Sequence, residues 1–414
     1  MVATRPMPYP LIMIKDMHKT EVFIAGGGIA GLCAAAAFAK AGFEVICADP
    51  TPPITQRDSD GADLRTTALL QPARDFLDDI GVWSRFDAQA TPLQIMRIVD
   101  AGGDTSDPRV AHEFDASDIS DRPFGWNLPN WLLRRELLAH LASLTSVTFL
   151  GGVGVQRVVT RLTEARVTLS NGTRVHAQLV VGADGRKSVV RTAAGIDVTT
   201  TRFGQKALTF AVTHPLPHMN ISTEVHRTGG PFTLVPLPDH EGVPCSAIVW
   251  MDTGPEITRL AALSDPELET AMTNRSAGLL GPLKLASRRA VWPIIAQQAS
   301  RLTAKRIALV AEAAHVVPPI GAQGLNMSLS DIASLVRLAQ DNRSDVGTAE
   351  VLDRYHRDRI TDIRMRVAGI TALNRASMAS SPGMRDLRAA GLDLFYKAPA
   401  VRKRLMKLGL GARG

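Results

Sequence analysis

Three short stretches of this chain carry residues whose types and spacing suit ligand chemistry. Residues 21–25 (EVFIA) run into Gly26-Gly27-Gly28-Ile29-Ala30-Gly31, an Ala-rich stretch to Ala41, a second apolar run at 44–48, and Asp49. A G-x-G-x-x-G between strand and helix, with an acid about 20 residues on, suits a dinucleotide. Gly26 permits the tight turn, Gly28 admits a pyrophosphate to the backbone, and Gly31 lets helix and strand pack closely. The helix start offers free N–H groups, and Asp49 suits ribose hydroxyls. NAD and FAD both use this device. The second stretch, 179–195 (LVVGADGRKSVVRTAAG), ends an apolar strand in Gly182-Ala183-Asp184-Gly185. Asp184 suits either a ligand or a helix cap. The third, 310–333 (VAEAAHVVPPIGAQGLNMSLSDIA), follows the apolar run KRIALV and holds Glu312, His315, Pro318, Gln323, Gly324, Leu325 and Asn326. It contains no nucleophile–base spacing. His315 is a candidate for proton transfer and Gln323 for orienting a substrate, although a histidine beside a helix more often serves structure.

Other chemistries find no support. There is no H-E-x-x-H and no clustered metal-ligand pattern, so neither a metal nor a covalent protein intermediate is expected. The three cysteines, Cys33, Cys47 and Cys245, lack C-x-x-C spacing, which argues against a disulfide framework and fits a reducing compartment. No apolar run reaches the roughly 18–20 residues of a membrane span. The net charge of +7 is concentrated at the end: residues 384–414 hold eight basic and two acidic side chains. A nucleic-acid binder would spread its charge differently.

Taken together, in this order and spacing, G-x-G-x-x-G, G-A-D-G-x-x-S-x-x-R and acid-A-A-H-x-x-x-P-x-x-x-Q-G-x-N resemble the three signatures of FAD-dependent aromatic hydroxylases, the single-component flavoprotein monooxygenases. The resemblance implies FAD as cofactor, NAD(P)H or another reductant as electron donor, and O2 as co-substrate. It places Gly26, Gly28 and Gly31 at the pyrophosphate and Asp49 at the adenosine ribose. Arg134, opening R-x-x-L-x-x-x-L, would support the cofactor. Arg65, in DLRTTAL, would lie near the flavin, and Asp184 near both FAD and the donor's path. Pro318 would sit beside the isoalloxazine, and the backbone of Gly324, Leu325 and Asn326 would face its pyrimidine edge. Glu312 stands where the family carries aspartate; Glu312→Ala is expected to weaken FAD retention.

These sites need two kinds of scaffold. The expected class is α/β: a Rossmann-like, glutathione-reductase-type FAD-binding domain interleaved with an antiparallel β-sheet substrate domain, plus C-terminal helices. The FAD-binding parts are expected at 21–92, 122–201 and 289–341, and the substrate parts at 93–121 and 202–288. A tail at 1–20 and a helical region at 342–414 complete the chain. KALTFAV, ISTEVHR, PFTLVPL and PCSAIVW read as the substrate-domain strands. Folding is expected to begin near Glu21, with Met17 a candidate start.

Residues 352–359 (LDRYHRDR), Leu373-Asn374-Arg375, residues 387–392 (LRAAGL) and the basic ending PAVRKRLMKLGLG resemble the ubiquinone-biosynthesis hydroxylases. That implies a polyprenyl phenol substrate, oxygen transfer by a flavin C4a-hydroperoxide, and partners in a biosynthetic complex. Leu387, Leu392, Leu394, Phe395, Val401, Leu405 and Leu408 alternate with basic residues, as in a surface helix making weak membrane contact. The expected location is cytoplasmic, peripheral at the inner face of the membrane. The alternatives are a hydroxylase of a small soluble phenol and a non-catalytic FAD-binding component of such a complex.

Overall fold

In a computed structural model, the described residues are 17–101, 108–378, 393 and 396–410. Leu387, Leu392, Leu394 and Phe395 of the expected amphipathic tail lie outside them, as do residues 1–16.

The first sheet holds β1 (Met17–Ala25), β2 (Val45–Asp49), β8 (Val147–Gly151), β9 (Val155–Thr160), β10 (Ala165–Leu169), β11 (Arg174–Gly182), β18 (Thr303–Ala304) and β19 (Ile307–Leu309). Its main path runs β18-β19-β11-β1-β2-β8. The strands β19, β11, β1, β2 and β8 are parallel. Covered on both faces, parallel strands read as unbroken apolar runs, and Val22–Ala25 are fully buried. β1 starts at Met17, earlier than expected, because residues 17–20 pair with residues 174–177. Helix α1 (Ile29–Lys40) covers this sheet with a run of small side chains, Ala34–Ala37, all buried.

The second sheet comprises β5 (Ile95–Asp100), β6 (Val110–Asp115), β12 (Val198–Thr213), β13 (Ile221–His226), β14 (Pro231–His240), β15 (Val243–Thr253), β16 (Lys284–Leu285), β17 (Ala290–Ala299) and β20 (His315–Val316). The order is β20-β17-β12-β15-β14-β13-β5-β6, antiparallel except for β5 beside β13. Period-2 alternation divides its faces. Leu208, Phe210, Phe232, Leu234, Ile248 and Trp250 pack with Ile257 and Leu260 of α5 (Gly254–Ala261) and with Leu268 and Met272 of α6 (Asp265–Arg275). The opposite face looks inward. On it Ile98, Glu224, Thr233, Val249 and Thr209 form one cross-strand row.

A small sheet, β3 (Thr66–Leu70), β7 (Gly125–Pro129) and β4 (Thr91–Leu93), ordered β3-β7-β4, joins the two large ones. Helices α2 (Gln71–Asp79), α3 (Asn130–Leu141), α4 (Val189–Ala193) and α7 (Gln323–Asp341) complete the cofactor-side lobe. Helix α8 (Ala349–Ser377) is locked to it by the buried Tyr355, whose hydroxyl donates to Leu309 O at 2.9 Å. A last helix, α9 (Pro399–Leu410), buries Met406 and Leu410.

Candidate functional site

One cavity of about 830 Å³ runs between the sheets. Gly28–Gly31, Arg65, Arg134, Glu312, Pro318, Gly324 and Leu325 line one side. Leu93, Ile95, Met96, Ile98, Phe114, Val235 and Val249 line the other.

The glycine turn is built by exclusion. Gly26 has φ 108°, and a Cβ there would stand 2.3 Å from Ala183 O; a Cβ on Gly31 would stand 1.9 Å from Gly26 O. A Cβ on Gly28 would meet nothing within 4 Å, so the space beside it is open. Helix α1 starts there with no side-chain cap and no acid in its first turn. Its first N–H groups thus remain for a ligand. Asp49 braces this loop, accepting from Gly27 N at 2.6 Å and Thr51 N at 2.8 Å. Each carboxylate oxygen keeps a further lone pair for a ribose hydroxyl.

A second uncapped start belongs to α7. Its N-cap, Ala322, has φ 56° and gives no side-chain cap, and the first turn holds no acid. Gly324 and Leu325 lie on that turn, and both line the cavity. The Asn326 side chain fixes the helix in place: it accepts from Leu70 N at 2.8 Å and donates to Ala68 O at 2.8 Å and Ala322 O at 2.6 Å. The signature assigned only its backbone; the side-chain clamp joins segments over 250 residues apart and leaves no local trace. Pro318 is buried against the same cavity.

The charged groups fall into three arrangements. Arg134, on α3, lines the cavity and has no hydrogen-bond or ion-pair partner among the described residues. Arg65 grips Asp63 with a fork at 2.8 and 2.7 Å and stacks on Trp292 at 4.0 Å. Burial opposes the charge on both members of that pair; the hydrogen bonds and charge between them outweigh it, holding the Asp63 carboxyl low and the Arg65 guanidinium high. Glu312 is half exposed on the turn Ala311–Ala313 and lies 3.3 Å from Arg186 Nε.

The structure turns Asp184 toward its own helix. It accepts from Ser188 Oγ and from Val190 N, capping α4. Ala183 and Gly185 line the cavity beside it. Arg191 ties the second stretch to the third, donating to Ala313 O at 2.8 Å and Arg186 O at 2.7 Å. His315 reaches the cavity wall, but its Nε2 lies 2.6 Å from Asp331 Oδ2, and Asp331 Oδ1 accepts from Arg359 Nε at 2.7 Å. This buried line joins β20, α7 and α8. Gln323 also serves structure: it donates to Gly321 O and Gly409 O and accepts from Arg366 Nη1 at 2.6 Å. Helix α9, which supplies Arg402, Leu405, Met406, Gly409 and Leu410 to the cavity, is thereby held over it.

Two uncapped helix starts, an open glycine turn and an arginine without a partner among the described residues, all in one chamber, fit a flavin dinucleotide: one start for its pyrophosphate, the other for its electron-rich ring edge. The apolar sheet beyond fits an organic substrate. Among the described residues no group of three or more His, Cys, Asp or Glu side chains could hold a metal, and no helix is long and apolar enough to cross a membrane.

Comparison with known proteins agrees with this geometry. A model of the FAD binding domain family matches residues 19–369. The ubiquinone hydroxylase UbiL of Rhodospirillum rubrum is 30% identical over 394 residues, covering 94% of this chain and 89% of that protein. The 3-demethoxyubiquinol 3-hydroxylase of Escherichia coli is 25% identical over 400 residues, covering 95% and 99%. Among solved structures, p-nitrophenol 4-monooxygenase PnpA of Pseudomonas putida superposes with a TM-score of 0.78 at 19% identity, covering 96% of this chain and all of that one.

Proposed function

From its membership of the FAD binding domain family, and within it of the ubiquinone-biosynthesis hydroxylases, we propose that this chain hydroxylates the aromatic ring of a polyprenylated phenol. It is an FAD-dependent monooxygenase. The observation that carries the substrate reading is the single chamber in which the cofactor-type helix starts face an apolar sheet.

Bound FAD supplies the redox and oxygen-transfer chemistry, with a nicotinamide donor and O2 as co-reactants. The chain's own residues do the rest. The N–H groups at the starts of α1 and α7 and the Arg134 cation would hold the cofactor. Asp49 and Asn326 keep those donors in place. Arg65 and Trp292 form a charged, stacked rim where the lobes meet. Leu93, Ile95, Met96, Ile98 and Phe114 offer apolar surface for a prenyl chain. Helix α9 closes this part of the chamber and, with the apolar floor, excludes water from the reacting ring.

The outer side of α9 exposes Val401 and Leu408 beside Lys403, Arg404 and Lys407. This face suits weak contact with an anionic membrane or with a partner in a biosynthetic complex.

The test is reconstitution. Purified protein loaded with FAD, given NADH, a prenylated phenol and 18O2, should yield product carrying one 18O atom per new hydroxyl. NADH oxidation without labelled product, for every prenylated phenol offered, would overturn the reading.

A further inference from the structure

Asn127 lies in β7, fully buried and yet part of the cavity wall. Its Nδ2 donates to Pro236 O, on β14, at 2.9 Å. That bond fixes which way the amide points, for turning it over would set Oδ1 against another carbonyl oxygen. Oδ1 therefore points elsewhere, and it has no hydrogen-bond partner among the described residues. A buried acceptor with no donor is costly and calls for a reason.

Thr91, its cross-strand neighbour on β4, carries a hydroxyl but makes no bond to Oδ1. Leu93 on the same small sheet, Phe124 just before β7 and Val235 beside Pro236 are apolar. Ser222, Thr233 and Arg134 also line the wall, yet none of them bonds Oδ1, and other polar groups there are engaged elsewhere. Thr209 donates to Ala290 O, Thr67 donates to Asn130 Oδ1, and Glu224 Oε1 lies 2.7 Å from His226 Nε2. Trp292 Nε1 is also unpartnered, but it is a donor, and Arg65 stacks on that ring at the cofactor side.

We propose that Asn127 Oδ1 accepts a hydrogen bond from the free ring hydroxyl of the bound phenol. This rests on the phenol reading given above and adds a residue that selects the substrate. With the hydroxyl anchored at one atom, the ring carbons presented to the cofactor are set. A substrate whose hydroxyl is already alkylated has no proton to offer and leaves the acceptor stranded. A site built around a substrate O–H discriminates strongly against an analogue lacking it.

The test titrates the FAD-loaded oxidised protein with a monoprenyl phenol and with its O-methyl ether, following the flavin absorbance. The native protein should bind the phenol about tenfold or more tighter than the ether. Asn127→Leu also removes the bond to Pro236 O, so its thermal midpoint should fall, but it should keep its FAD content, and the two affinities should become equal. Equal affinities in the native protein would overturn the proposal while leaving the phenol reading intact; an internal water would then serve Oδ1. A preference that survives in Asn127→Leu would overturn it as well. If neither ligand binds the native protein, the phenol reading itself falls and the proposal with it. The native measurement decides the matter even if the variant does not fold.

Discussion

Asp331 has no exposed surface, and its two oxygens hold His315 and Arg359, themselves buried. Removing the charge of such a partner strands the other ion in the interior. Asp331→Asn should therefore lower unfolding stability by about 3 kcal/mol or more, read from the urea midpoint; a loss under about 1 kcal/mol would refute a stabilising role. Asp63 gives a pH prediction. Its folded carboxyl lies below the ordinary value near 4, so its pairing stabilises the fold above that value. The contribution is lost as pH falls through the lower, folded value. Acid titration of the FAD-loaded protein should release flavin in that window, and Asp63→Asn should release it already at neutral pH. Retention by the variant at pH 7 would contradict this. Glu312, which the resemblance sets where aspartate is usual, pairs with Arg186 at 3.3 Å.

At the scale of elements, the glycine turn separates folding from binding. Gly31→Val would drive a side chain into Gly26 O, so α1 cannot stay on its sheet. Gly28→Val meets no protein atom within 4 Å but fills the space offered to a pyrophosphate. The expected pair of outcomes is loss of folded protein for Gly31→Val and folded, FAD-free protein for Gly28→Val, seen by circular dichroism and flavin content. A flavin-bound Gly28→Val would contradict the seat assigned to α1. These features were legible because they are local: strand, turn and helix follow one another within 30 residues. The strands KALTFAV, ISTEVHR, PFTLVPL and PCSAIVW were legible for the same reason, since period-2 or continuous apolar character is written in each run, and they appear as β12–β15. The sequence alone does not reveal Asn127 against Pro236, or Asn326 against β3. Those meetings depend on pairing between segments 109 and 258 residues apart. Asp184 was open between ligand and cap, and the capping bonds to Ser188 and Val190 settle where its carboxylate points.

At the scale of the molecule, three sheets and a C-terminal helix enclose one chamber. Helix α9 is joined to the cofactor side through Gln323 and Gly409 and to the substrate side through Arg402 and Asp118. A chain ending at residue 398 should keep its FAD, whose proposed seat includes no α9 residue, yet waste NADH through an open chamber. Unchanged product per NADH would contradict the role given to that helix. The central claim, that the chamber serves a polyprenylated phenol on the way to ubiquinone, is tested most directly by mass-spectrometric profiling of quinone lipids in a strain lacking this gene. The account predicts loss of ubiquinone and accumulation of a prenylated phenol short of one or more hydroxyls. That intermediate would also identify the carbon attacked. Normal ubiquinone, in a strain with no second hydroxylase of this kind, would contradict it.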